Sequence, residues 1–152
     1  MTDAAVGGTA RLLGFAGLLP PVAAIVMIAL GWYPAAAILF IYPLLILSFL
    51  GGAWWGFAMM AGVDQPRLAV VAVMPSLIAL ALQLGFYLVP RPGWLLVVTG
   101  TALMLTLLVD RGLTRRGLTP VGWMALRIPL SLGLGALTIL GAVVIETYVP
   151  YG

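Results

Sequence analysis

Five long apolar stretches fill most of this 152-residue chain, and they restrict the fold more than any other feature of the sequence. A helix that crosses a bilayer needs about 20 consecutive, mostly apolar residues. Proline, glycine and charged residues interrupt the apolar sequence at about that spacing. We therefore predict one transmembrane domain over residues 1–152, with spanning helices at 12–31, 35–61, 68–89, 93–109 and 121–149.

The connectors between the predicted helices are short, except for the one that follows residue 109. Short turns make consecutive helices antiparallel neighbours, so the expected fold class is all-α, a compact five-helix transmembrane bundle. Only 7% of the residues are charged, against about 25% in soluble domains, which agrees with a polytopic membrane protein. Proline has no backbone N–H, so prolines within the spans predict kinked helices. These prolines are Pro20, Pro21, Pro43, Pro75 and Pro129.

All seven basic residues are arginines, and their distribution predicts the orientation of the bundle. Cytoplasmic loops of membrane proteins are rich in Lys and Arg. One side of the predicted bundle holds Arg91 alone, and the other holds Arg11, Arg67, Arg111, Arg115, Arg116 and Arg127. We therefore expect the N-terminus inside and the C-terminus outside. The net charge of +3 is then a topology signal, and we expect no nucleic acid partner.

The residue types that are missing exclude much chemistry. Without histidine or cysteine there is no ordinary ligand set for haem, zinc or copper. Without lysine there is no Schiff base. We therefore expect no catalytic residue, no metal and no cofactor, and we predict that the protein is not an enzyme.

Small residues and tryptophans in the second helix mark two candidate sites. Ser48, Gly52 and Gly56 follow one another at i+4 spacing, which lets another backbone approach closely, either inside the bundle or from a docked partner. Trp54 and Trp55 are the predicted wall of a pocket for a lipid, quinone or pigment, together with Gln83 and Arg127. Tryptophan at such depth usually needs a partner for its indole N–H, so at least one should be hydrogen-bonded.

Arg127 is a charged residue inside a predicted span, where a charge needs a partner or access to the headgroups. It lies about 9 Å along the last helix from Val121. Its guanidinium can extend to the cytoplasmic headgroups, or it can pair with Asp110 at the end of the fourth helix. Contact with a lipid headgroup or a substrate is a further alternative.

Several motifs carry a resemblance to a known family. They are LGFAGLLP at 13–20, ILSFLGGAWWG at 46–56, MPSLIA at 74–79, Asp110-Arg111, and PVGWMALRIPL at 120–130. In this order they resemble the DUF3429 family over nearly the whole chain. The resemblance implies a small five-helix inner-membrane protein, here in the bacterial cytoplasmic (inner) membrane, without an established biochemical role. Family members often carry histidine or arginine where this chain has Trp54.

Two hypotheses about function follow. The first is an accessory subunit or assembly factor that interacts with other membrane-protein subunits of a larger respiratory or photosynthetic complex in the lipid bilayer. The second is a small carrier or binding protein for a lipid, quinone or pigment. A pocket inside the bundle favours the second hypothesis, whereas a tightly packed core with an apolar outer groove favours the first.

Overall fold

Across residues 5–89 and 92–149, which the computed structural model describes, the chain forms six α-helices and no β-strand. The helices are α1 (Gly8–Ala16), α2 (Leu19–Ala29), α3 (Ala36–Met59), α4 (Gln65–Leu88), α5 (Gly93–Arg115) and α6 (Trp123–Tyr148). Short 3-10 turns at Tyr33–Ala35 and Gly62–Asp64 precede α3 and α4.

The all-α prediction is confirmed, and the described residues contain five segments long and apolar enough to cross a membrane. These segments are Gly8–Ala29, Tyr33–Met59, Gly62–Leu88, Gly93–Arg115 and Trp123–Tyr148. The first contains two helices, α1 and α2, and the fourth continues past residue 109 to Arg115. Asp110 therefore lies inside a helix and not in a connector.

The break between α1 and α2 has a simple cause in the backbone. In a continuous helix the N–H groups of residues 20 and 21 would donate to the carbonyls of Ala16 and Gly17, but Pro20 and Pro21 are two consecutive residues without an N–H. The Tyr42 hydroxyl of α3 donates to the Gly17 carbonyl instead, at 2.7 Å. The prolines Pro43, Pro75 and Pro129 lie within continuous helices.

Glycines set the closest contacts between helices. A Cβ on Gly51 of α3 would lie 2.5 Å from the carbonyl oxygen of Ala72 in α4. Gly100 of α5 and Gly135 of α6 face each other in the same way, with each virtual Cβ 2.6–2.7 Å from the other's carbonyl oxygen. Small residues allow membrane helices to pack this closely. The bundle therefore consists of two packed pairs, α3 with α4 and α5 with α6, and α2 contacts both α3 and α6.

Contacts between connectors gather most of the charge at one end of the bundle. The N–H of Val6 donates to the carbonyl of Val121 at 3.0 Å, which ties the N-terminal segment to the α5–α6 connector. Arg116, after α5, pairs with Asp64, before α4, at 3.3 Å. The arginines at or near this end are Arg11, Arg67, Arg111, Arg115, Arg116 and, about one turn into α6, Arg127. Arg91 lies outside the described residues.

Candidate functional site

A buried carboxylate joins three helices near the arginine-rich end. Asp110 of α5 is completely buried, and its Oδ1 accepts hydrogen bonds from the indole N–H groups of Trp54 (2.9 Å) and Trp123 (3.1 Å). Its Oδ2 accepts a bond from Nε of Arg127 at 2.8 Å. A buried carboxylate needs this many donors, because removing its charge from water is unfavourable. We call Asp110, Trp54, Trp123, Arg127 and the neighbouring Thr106 the Asp110 cluster.

Arg127 is held by the cluster and still has unpaired donors. Its Nη2 donates to Oγ1 of Thr106 at 3.2 Å, and its guanidinium carbon lies 6.0 Å from the centroid of the Trp123 ring. An arginine side chain has five N–H donors. In the described part of the chain, Nη1 of Arg127 has no hydrogen-bond partner.

The sequence predicts either an Arg127 side chain extended to the headgroups or a pair with Asp110, and the structure contains the pair. Arg127 is only 6% exposed, so its side chain does not reach the surface. The sequence also predicts that at least one of Trp54 and Trp55 is hydrogen-bonded, and the indole N–H of Trp54 donates to Asp110.

Beside the Asp110 cluster lies a pocket of about 600 Å³ between α1, α3 and α6, which we call the α6 pocket. Most of its surface is apolar. Its lining from α1, the break between α1 and α2, α3 and α5 is Ala10, Leu13, Gly14, Gly17, Leu18, Tyr42, Ile46, Phe49, Leu50, Ala53, Phe57 and Leu103. From α6 the lining is Trp123, Leu126, Arg127, Leu130, Ser131 and Leu134. The polar wall is therefore mostly a stripe on α6, where Trp123, Arg127 and Ser131 follow at i+4 spacing.

Ser131 is the second polar side chain of this wall with unused hydrogen-bonding capacity. It is 2% exposed, and its Oγ is the one buried side-chain polar atom of the described residues without a partner. Thr99 and Thr138 show the usual alternative, since each hydroxyl donates to the backbone carbonyl four residues earlier. A buried group that stays unpaired is rare enough to need an explanation.

Of the four side chains predicted to form one pocket, only Trp54 and Arg127 come together, and they meet at Asp110. Trp54 is buried in the Asp110 cluster, whereas its neighbour Trp55 is 46% exposed beside a separate depression against α4. Gln83 is half-buried on α4 and does not line the α6 pocket. Only Arg127 of the four does. Sequence reasoning missed Ser131, although its i+4 spacing from Arg127 is a usable signal once α6 is assigned.

The three small residues of α3 that the sequence places in one series have different surroundings. Ser48 faces α4, where its Oγ lies 3.0 Å from that of Ser76. Gly52 and Gly56 are exposed, and a Cβ on either would meet nothing within 4 Å. Packing inside the bundle is thus the role of Gly51 and not of Gly52 or Gly56. The reason is geometric: residues four apart are displaced by about 40° around a helix, so an i+4 series leaves a helix interface after one or two steps.

Across the described residues, no group of three His, Cys, Asp or Glu side chains is placed to hold a metal ion. The chain matches no curated protein and no solved structure. A family model described as "Protein of unknown function (DUF3429)" matches residues 6–143, which include the whole Asp110 cluster and the α6 pocket. The resemblance carried by the sequence motifs is therefore confirmed, and the chain belongs to the DUF3429 family.

Proposed function

We propose that this protein binds a largely apolar small molecule, a lipid or a quinone, in the α6 pocket. The observation that carries the proposal is the pocket itself, with about 600 Å³ of space, a mostly apolar lining and polar groups on one wall. Ligand sites usually have volumes of about 300–1,000 Å³ and this combination of linings. The proposed role is binding, and no catalytic step is part of it.

The weakly packed helix α1 supports entry of a ligand from the membrane. None of the residues of α1 is buried, although Leu13 and Gly14 line the pocket. The helix has nine residues and is separated from α2 by the break at Gly17. A short helix with few buried contacts opens locally at low free energy. We therefore assign α1 as the movable side of the pocket.

We further propose that the arginine-rich end faces the cytoplasm of a bacterial inner membrane, with the N-terminus inside and the C-terminus outside. The gathering of Arg11, Arg67 and Arg116 at one end supports this orientation under the positive-inside rule. Reporter domains fused to the C-terminus test it. Alkaline phosphatase is active only outside the cytoplasm. Green fluorescent protein fluoresces when it stays in the cytoplasm but not when it is exported through the general secretory route. An active fluorescent fusion would reverse the assignment.

A role as an accessory subunit or assembly factor of a larger respiratory or photosynthetic complex is the second candidate. It is favoured by the outer face of α3, where Gly52 and Gly56 are exposed next to Trp55. Small residues beside a large aromatic ring form a surface on which another membrane helix can pack. On this hypothesis, substitutions on the outer face of α3 abolish the function, and substitutions in the α6 pocket do not.

Two neighbouring substitutions separate the two functions. Ala53→Phe places a phenyl ring in the α6 pocket, whereas Gly52→Phe places the same ring on the exposed face one residue earlier. Each variant and the wild type are expressed from the native locus, released from their own membranes in mild detergent, and measured by native mass spectrometry. Thermal unfolding of each sample controls for damage to the fold.

For ligand binding, we expect the wild type and Gly52→Phe to carry a bound small mass that Ala53→Phe lacks. For docking, we expect the wild type and Ala53→Phe to appear in a heterocomplex that Gly52→Phe loses. A wild-type chain without a bound mass, or a bound mass that Ala53→Phe retains, would overturn the binding proposal.

A further inference from the structure

We infer that the ligand of the α6 pocket has an uncharged head with a carbonyl oxygen, which accepts hydrogen bonds from Arg127 and Ser131, and an apolar tail. This inference rests on the proposed binding function and specifies the chemistry of the same pocket. A quinone and an acyl ester share this chemistry, so both are sources of such a head.

One wall of the α6 pocket carries two unpaired donors. Nη1 of Arg127 and the hydroxyl of Ser131 have no partner in the described part of the chain. Both side chains line the α6 pocket, and the two residues are four apart on α6, so they lie on the same face of the helix. The Ser131 hydroxyl is buried without a partner, which is unfavourable. An oxygen of a bound head would remove that penalty and would also accept a hydrogen bond from Nη1 of Arg127.

Serine is suited to a site that is filled only when a ligand binds. Its side chain has one torsion with three staggered positions, so the hydroxyl can turn toward a ligand without movement of the backbone. The phenolic hydroxyl of Tyr42, at the other end of the pocket, already donates to the Gly17 carbonyl. The available donors are therefore concentrated at Arg127 and Ser131.

The charge of the site selects an uncharged head. Asp110 lies 2.8 Å from Nε of Arg127 and neutralises it. An anionic head beside this pair would leave a net negative charge in an apolar, buried place, which is strongly unfavourable. A carbonyl oxygen satisfies the remaining donors without adding a charge.

The shape of the pocket fits a tail behind that head. Along α6 the lining runs from Trp123 to Leu134, which corresponds to about 16 Å of helix axis. Arg127 is near the arginine-rich end, and beyond Ser131 the wall continues with Leu134 and with Leu18, which lies in the break between α1 and α2. A ligand with its head at Arg127 therefore has an apolar channel for its tail toward the middle of the membrane.

Two ligands with the same acyl tail, and a quinone with an alkyl tail, test the charge of the head. Methyl oleate, oleate and a decyl-substituted benzoquinone are each added to the purified protein in detergent, and the rise in its thermal unfolding temperature is measured. A ligand that binds the folded state raises this temperature. We expect at least one of the uncharged compounds to raise it more than oleate does. A response to the ester alone identifies an acyl lipid, and a response to the benzoquinone alone identifies a quinone. An equal or larger rise with oleate overturns the inference.

Removal of one hydroxyl tests the proposed contact. We expect Ser131→Ala to weaken binding of the preferred uncharged compound by about fivefold, as for the loss of one hydrogen bond. Its stability without ligand should not fall, because the hydroxyl has no partner there. The matched control is Thr138→Val, which removes a hydroxyl of α6 that donates only to the Leu134 carbonyl and does not line the pocket.

The pocket-filling variant separates failure of this inference from failure of the proposed function. If Ser131→Ala binds as tightly as the wild type while Ala53→Phe does not bind, the pocket is the site but the head is held differently. If Ala53→Phe also binds as tightly as the wild type, the α6 pocket is not the ligand site and both proposals fail.

Discussion

The two sides of α6 are packed in opposite ways. On the side that faces α5, a Cβ on Gly135 would lie 2.7 Å from the Gly100 carbonyl oxygen, and Asp110 and Arg127 pair at 2.8 Å. On the side that faces α1, the same helix lines a pocket of about 600 Å³. There, in the described part of the chain, Ser131 has no hydrogen-bond partner.

This difference indicates that one side of α6 stabilises the fold and the other side leaves space for the pocket. On the α5 side, polar groups satisfy one another and small residues close the interface, which is how membrane helices gain stability. On the α1 side, space and hydrogen-bonding capacity are left over. Substitutions on the α5 side should therefore change the stability of the protein, and substitutions in the α6 pocket should change what it binds.

The largest expected effect is loss of the buried carboxylate. We expect Asp110→Ala to destabilise the fold by about 3–5 kcal/mol, because it leaves Arg127 buried without its counter-charge and two indole N–H groups without an acceptor. The measurement is reversible unfolding in mixed micelles.

The control for Asp110→Ala is a second arginine pair in the same protein. Asp64→Ala breaks the pair with Arg116, whose side chains are about half exposed, so we expect a change of less than about 1 kcal/mol. Equal losses for the two variants would contradict the view that the Asp110 cluster stabilises the packed side of α6.

A medium effect is expected where the backbones of α5 and α6 meet. Gly135→Ala brings a methyl group against the Gly100 carbonyl and Met104, so we expect a loss of about 1–3 kcal/mol. Gly112→Ala on α5 is the control, because a Cβ there meets nothing within 4 Å. Alanine is the better helix former, so this control should be unchanged or slightly more stable. A Gly135→Ala protein as stable as the Gly112→Ala protein would show that the close approach is not required.

The smallest effect is expected on the pocket side, at the break in the first span. Tyr42→Phe removes the hydrogen bond to the Gly17 carbonyl, and we expect a loss of about 1 kcal/mol together with faster hydrogen exchange in α1. Tyr87→Phe is the control, since Tyr87 is 79% exposed. If the rate of hydrogen exchange in α1 is unchanged in Tyr42→Phe, the Tyr42 hydrogen bond does not stabilise the break between α1 and α2.

Features that depend on local sequence were predictable. Five spans follow from length and hydropathy, and both are properties of contiguous residues. The alternatives for Arg127 were also predictable, because an arginine this deep in a span must pair or extend to the surface, and the structure contains the pair. Asp110 was the nearest acid in sequence on the same predicted side.

Features that depend on which helices are neighbours were not predictable. The choice between Gly51 and Gly52 as the packing residue turns on about 100° of helix rotation, which a sequence pattern without a known partner does not determine. The α6 pocket requires α1 to lie beside α6, and these helices are at opposite ends of the chain. For the same reason Trp54 and Trp55 were grouped together, although adjacent residues point to different faces of a helix.

The contact between the first and last spans bears on how the protein is made. Since α2 packs against α6, the span Gly8–Ala29 must wait for the span Trp123–Tyr148 to be synthesised before its own packing is complete. The pairs α3–α4 and α5–α6 are joined by short connectors and can form as soon as each is inserted. Because α6 supplies one wall of the α6 pocket, the pocket cannot exist before synthesis has passed Leu134. A chain that terminates early would therefore be inserted in the membrane without this pocket.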